Sequence, residues 1–309
     1  MLFRSLLLTA GLILLAINWY FDPLSYLLQL ILFAIGLIAV GIPHGGADRL
    51  IAMKTASRLN LNFSAQKFTL IYCGQILLFF LFFYCFPHLA ILLFLLLSAY
   101  HFGETDMTGI NHSYAGKLIR LSYGLLILGL ILLPNFSSVS KTLIHLNPAG
   151  PGAACIQWTD QHHQLVLLGM VAAFGISWLG YWLLYNKTVA CNWKEILRFL
   201  VLVLIVYQLP LLLSFTFYFI FWHSTASLKS MLGYLLEHQS FDKGMVVREI
   251  IKNSLIVLFG ICFAGYISSL FFRNDNLVLY AIIGLAALTG PHMHVMHSMY
   301  QHYAGNEKP

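Results

Sequence analysis

Charge is what this chain has least of: 17 basic and 11 acidic residues among 309, or 9%. Soluble globular domains carry about 25% charged residues, so an ordinary soluble fold is excluded. Cysteine is scarce as well. Cys73, Cys85, Cys155, Cys191 and Cys262 show no paired or metal-type spacing, which excludes a disulfide framework; those inside apolar runs act as small hydrophobes. The chain has no glycine-rich phosphate loop, nucleophile elbow or paired-carboxylate hydrolase signature. It also lacks any internal repeat, low-complexity tract or dividing linker, and 1–309 reads as a single membrane-embedded domain.

Long apolar runs stand in place of charge. Hydrophobic residues make up 60% of the chain and the mean hydropathy is +0.80. A membrane span takes about 20 apolar residues. The expected fold is therefore all-α, a polytopic membrane bundle of ten spans, at 4–20, 24–43, 68–86, 88–104, 117–134, 164–185, 195–210, 212–236, 253–272 and 276–297. Pro210 has no backbone N–H to donate and divides a run too long for one crossing. The connection 135–163 carries Pro148, Gly150, Pro151 and Gly152 and reads as the one long loop. The first run is signal-peptide-like but has no small-residue cleavage site, so it counts as a span.

Basic residues test this layout, because they sort to the cytoplasmic side of polytopic proteins. With the amino terminus in the cytoplasm, only Lys141 and Arg273 of the 17 basic residues fall outside. Both termini are then cytoplasmic, which suits a bacterial inner membrane. The net charge of +6 reflects this sorting and does not call for a nucleic-acid partner.

Against so little charge, 13 histidines stand out. A polar ring in lipid is costly unless paired, so an intramembrane histidine is a functional-site candidate. Neutral imidazole is also a common ligand for iron, copper and zinc. His44 (GIPHGGAD), His101 (SAYHFGETD) and His297 close the second, fourth and tenth spans, and His223 (FIFWHSTAS) lies in the eighth. All four spans run from outside to inside. His223 is about 11 residues into its span, roughly 16 Å at helical rise, and should lie deeper than the others.

The residues around these rings suggest partners. Gly45 and Gly46 allow unusual dihedrals after His44, and Asp48 is placed to accept the second ring N–H. Glu104 lies one turn after His101, with Asp106 beyond it, and can reach back to that imidazole. Ser224 and Ser227 suit bonds to carbonyls one turn back. In GPHMHVMHSMY, His292 and His294 point about 200° apart on a regular helix. Pro291 and Gly290 are expected to break that helix and turn His292 inward, leaving His297 and His302 interfacial. The blander alternative throughout is an interfacial or hydrogen-bonded histidine.

GIPHGGAD, YHFGETD, WHS and a terminal PHM, in this order and separation, resemble the bacteriorhodopsin-related-protein family, the Brp/Blh-type β-carotene 15,15′-dioxygenases. The resemblance covers most of the chain. It implies cleavage of the central double bond of β-carotene, drawn from the bilayer, into two retinals, using O₂ and an Fe(II) held by histidines. His44, His101 and His223 match its catalytic iron-ligand positions, and a functional link to a retinal-binding rhodopsin follows. One departure concerns position 227, where the family pattern has a second histidine and this chain has Ser227. A hydroxyl is a poor substitute for imidazole on Fe(II). Either His292 supplies the fourth ligand, or three histidines hold the iron, or the site has changed its activity; Asp48, Glu104 and Ser227 would then support the ligands from behind.

Two other readings fit a histidine-rich membrane protein. A di-iron desaturase or hydroxylase would show repeated, tightly spaced histidine boxes, which only the last cluster approaches. A metal or ion transporter would show internal repeats or acidic pairs within its spans, and neither is present.

Overall fold

The computed structural model describes residues 2–20, 24–148, 150, 152–185, 193–237, 241–271 and 277–303. Among them every regular element is helical: α1 (Leu2–Tyr20), α2 (Tyr26–Gly36), a π-helical stretch π1 (Leu37–Gly41), α3 (Ile42–Gly45), α4 (Asp48–Arg58), α5 (Ala65–Cys85), α6 (Pro87–Asp106) and α7 (Tyr114–Leu132). There follow α8 (Phe136–Leu146), α9 (Gly152–Gln161), α10 (His163–Tyr185), α11 (Trp193–Gln208), α12 (Leu211–Phe215), a second π-helix π2 (Thr216–Ser224), α13 (Thr225–Leu236), α14 (Lys243–Phe271) and α15 (Leu277–Tyr303). Local signals explain many of the ends. Ser25, Ser64 and Ser113 accept the N–H of Leu28, Lys67 and Gly116 and so cap α2, α5 and α7. Pro87 opens α6, where a missing N–H costs nothing. Pro210 separates α11 from α12 as its chemistry predicts.

Helices stand at each of the ten expected positions. Seven helical stretches among the described residues are long and apolar enough to cross a membrane: Phe3–Tyr20, Tyr26–Arg58, Ala65–Cys85, Pro87–Asp106, Tyr114–Leu146, His163–Tyr185 and Leu211–Leu236. Helix α11 has only 16 residues, and α14 and α15 border positions 272–276. Both chain ends, the basic residues Lys187, Arg273 and Lys308, and Cys191 lie outside the described residues.

Two expectations are corrected. The region 135–163 is not a loop: it folds into α8 and α9, tied together by Ser137 and Ser140, whose hydroxyls donate to Asp160 at 3.0 and 2.8 Å. Of its proline–glycine cluster, Pro148 and Gly150 follow α8 and Gly152 opens α9. Nor does the helix break at Pro291, which α15 carries in its interior. The lost backbone hydrogen bond is tolerable in a helix packed on its neighbours, and α15 packs on α4, α5, α6 and α14.

Burial is distributed unevenly. One core joins α1, α6, α7, α11 and π2 around Ile127, Leu202 and Tyr218, and a second joins α4, α13, α14 and α15 around Ile51, Tyr234 and Met296. Helix α5 buries no residue and α10 only Ser177 and Tyr181. Their exposed leucines and phenylalanines would be a liability in water and are ordinary surface against lipid. Helices α6 and α7 meet backbone to backbone: a Cβ on Gly103 would lie 2.1 Å from the carbonyl oxygen of Arg120. This contact seats the last turns of α6, where His101 lies.

Candidate metal centre

Four imidazoles from four separate elements meet between the two cores. His44 on α3, His101 on α6, His223 on π2 and His292 on α15 are all buried. Ring centroids are 4.7 Å apart for His44 and His292, 4.9 Å for His101 and His223, 5.5 Å for His101 and His292, and 6.2 Å for His44 and His223. Each of these four pairs is edge to face. His223 is no deeper than the rest in this sense; it belongs to the same ring of four. The two π-helices pack on each other, one ending just before the helix of His44 and the other carrying His223. Such wide turns recur at functional sites.

The ring nitrogens divide into held and free. His44 bonds the Gly41 carbonyl through Nδ1, which makes that nitrogen the protonated one. His292 donates Nδ1–H to both oxygens of Asp48, at 2.9 and 3.1 Å, and Tyr72 donates its hydroxyl to Asp48 Oδ2 at 2.9 Å. Both nitrogens of His101, both of His223 and Nε2 of His292 are buried with no hydrogen-bond partner. Leaving a buried polar group unpaired costs about 1–3 kcal/mol. Five such nitrogens in one apolar place are hard to explain as packing, and neutral imidazoles are a donor set suited to iron, zinc or copper. Among the described residues, no three histidine, cysteine, aspartate or glutamate side chains are arranged as they stand to hold a metal ion. The fit therefore lies in the chemistry and convergence of the donors and not in their present arrangement.

The supporting residues differ from the expected pairing. Asp48 does not reach back to His44, because the turn at Gly46 and Ala47 swings it toward α15 and His292. Glu104 does not take His101; it accepts Nδ1–H of His297 at 2.6 Å, since α15 runs beside α6. Asp106 accepts from Arg4 at 2.9 Å, Tyr123 at 2.7 Å, and Tyr218 and Trp222 at 3.0 Å each. Ser227 is buried but turns to Met231, Oγ to Sδ 3.7 Å. Ser224 donates to the Phe219 carbonyl at 2.7 Å, five residues back, in step with the π-helix.

Gly46 serves close approach, and neither Gly45 nor Gly46 adopts an unusual dihedral. Among the described residues no glycine has positive φ, while a Cβ on Gly46 would lie 2.8 Å from the Ile250 carbonyl oxygen of α14. His294 is exposed and His297 half-buried, so of the last cluster only His292 joins the four. Aromatic rings wall the centre: Phe102 lies 4.7 Å from His223, and Phe219 stacks on it at 6.1 Å. Sequence reasoning missed Tyr72 and the partners of Asp106. Tyr72 is one tyrosine in an apolar run with no local signal, 24 positions from the carboxylate it meets.

The family described as Beta-carotene 15,15'-dioxygenase matches residues 35–300, a stretch that contains all four converging histidines. A relative named Beta-carotene 15,15'-dioxygenase, from an uncultured marine bacterium (66A03), is 26% identical over 271 residues, covering 88% of this chain and 94% of the relative. No solved structure matches the chain. The match over most of the length means that the chain belongs to the Beta-carotene 15,15'-dioxygenase family.

Proposed function

We propose, from this family membership as premise, that this carotenoid dioxygenase cleaves β-carotene or a closely related carotenoid with O₂ at the central 15,15′ double bond, giving retinal. The observation that carries the reading is the convergence of four buried imidazoles with unpaired nitrogens in a bundle of apolar helices. His44, His101, His223 and His292 would hold an Fe(II). Bound iron would supply O₂ binding and activation, which no side chain here can provide. His292 takes the fourth place in this reading because Ser227 turns to Met231.

The chain's own residues do the rest. The Gly41 carbonyl and Asp48 hold the Nδ1 protons of His44 and His292, so Nε2 of each ring is the donor nitrogen. Phe102 and Phe219 set apolar faces against the imidazoles. They exclude water and suit packing against a conjugated polyene. A carotenoid partitions into the bilayer, and entry between lipid-facing helices needs no aqueous path. Regiospecificity then rests on how far one end of the polyene passes the imidazoles before the pocket stops it. The four donors come from widely separated positions, unlike the close histidine boxes of a desaturase. We place the protein in the bacterial inner membrane with both termini cytoplasmic, releasing retinal to a retinal-binding rhodopsin.

The test is expression in β-carotene-producing cells with retinoid analysis and iron determination on the purified protein. Retinal from the wild type, lost together with iron in His101→Ala, is the expected result. Carotenoid loss yielding asymmetric aldehydes would move the cleaved bond, and full activity without iron would end the metal reading.

A further inference from the structure

Helix α5 buries none of its residues, yet one of its side chains is tied to the centre. Tyr72 donates its hydroxyl to Asp48 Oδ2 at 2.9 Å, and both oxygens of the same buried carboxylate receive Nδ1–H of His292. We propose that Tyr72 is a positioning residue, holding Asp48 in the rotamer that aims Nε2 of His292 into the four-histidine centre.

The chemistry of the three groups makes the chain directional. An ionised carboxylate only accepts, so a phenol and an imidazole that both meet it must both donate. Asp48 therefore keeps the proton of His292 on Nδ1 and leaves Nε2 bare, and that nitrogen is buried with no other partner. A carboxylate held from one side only would turn about its last bond; the phenol on Oδ2 removes that freedom. The tyrosine also faces outward. With Phe68, Ile71, His294 and Val295 it lines a groove of about 280 Å³ between α4, α5 and α15. Tyr72, Asp48 and His292 thus link a groove on the outside of the bundle to its centre through two hydrogen bonds.

This inference rests on the proposed reading of His292 as a metal donor, and its test separates the two. The full-length protein is purified without metal and titrated with Co²⁺, read by affinity and by visible ligand-field absorption. Circular dichroism and thermal melting report the fold. Tyr72→Phe keeps the ring and the groove lining while deleting the donor. It should weaken Co²⁺ binding about tenfold, the lower end of what loss of such outer support costs, and shift the absorption bands with the melting curve close to wild type. In an Asp48→Ala background Tyr72→Phe should have no further effect, because the tyrosine acts through the carboxylate. If His292→Ala abolishes high-affinity binding while Tyr72→Phe binds as wild type, the inference fails and the donor role of His292 stands. An equal loss from Tyr72→Phe with and without Asp48 also overturns it. Wild-type Co²⁺ binding by His292→Ala removes the donor role and the inference together.

Discussion

Helix α15 carries two carboxylate–imidazole pairs, His292 with Asp48 and His297 with Glu104, and they differ in what the far side of each ring meets. The carboxylates are alike, with side chains 4% and 2% exposed. The imidazoles are not: the His292 side chain is 5% exposed and that of His297 is 38%. Nε2 of His292 ends in the centre with no partner, whereas Nε2 of His297 meets the Gln301 side-chain amide at 2.8 Å near the surface. The same pair therefore leaves a bare, buried imidazole nitrogen in one place and builds a surface hydrogen-bond chain in the other. A carboxylate beside a histidine selects which nitrogen is bare; burial decides whether that nitrogen has work to do.

The largest effect should come from the centre itself. Alanine in place of His44, His101, His223 or His292 is expected to remove most bound iron and nearly all retinal formation, measured by elemental analysis and chromatography. His297→Ala, by contrast, should keep iron content near wild type. Equal losses from His292→Ala and His297→Ala would erase the distinction between the pairs.

Next comes the carboxylate behind each ring. Asp48→Ala is expected to weaken metal binding by about 10–100-fold, the usual cost of removing the group that orients a ligand histidine. Glu104→Ala should cost much less in metal affinity, since its imidazole is not among the four. A larger metal defect in Glu104→Ala than in Asp48→Ala would reverse the assignment.

The packing beneath the Glu104 pair gives a third measurement. Gly103→Ala drives a methyl group against the Arg120 backbone, and overpacking of this kind costs typically 1–3 kcal/mol. A lowered thermal midpoint, with metal affinity reduced only as far as His101 is displaced, is the expected outcome; an unchanged midpoint would mean that α6 and α7 separate freely. Smallest of all should be Gln301→Ala, which deletes only the exposed end of the His297 chain and should leave iron content and retinal yield unchanged.

Much of the architecture was legible because it depends on local chemistry. Apolar run length marked the helices, Pro210 the turn between α11 and α12, and the isolation of His44, His101 and His223 in apolar surroundings the polar centre. What escaped was local structure whose reason is elsewhere. Residues 135–163 carry breakers typical of a loop, yet Ser137, Ser140 and Asp160 find one another and hold two helices together. Pro291 is a helix breaker by its own chemistry, but α15 is enclosed by neighbours that stabilise the helix around it. Neither π-helix carries a sequence signal; the wide turn is rare and is set here by what it packs against, the two stretches lying on each other.

The same division runs through the site. Residue type alone determined which side chains have donor chemistry, and hydropathy determined that they would be held in apolar surroundings where an unpaired ring is costly. Pairing was decided only when the helices came together. Asp48 is four positions from His44 and 244 from His292, and it bonds the distant one. Glu104 passes over His101 for His297, 193 positions away. A hydrogen bond depends on direction over about 3 Å, and direction is set by the turn at Gly46 and by the crossing of α6 with α15, neither of which is encoded in the spacing of the residues that meet.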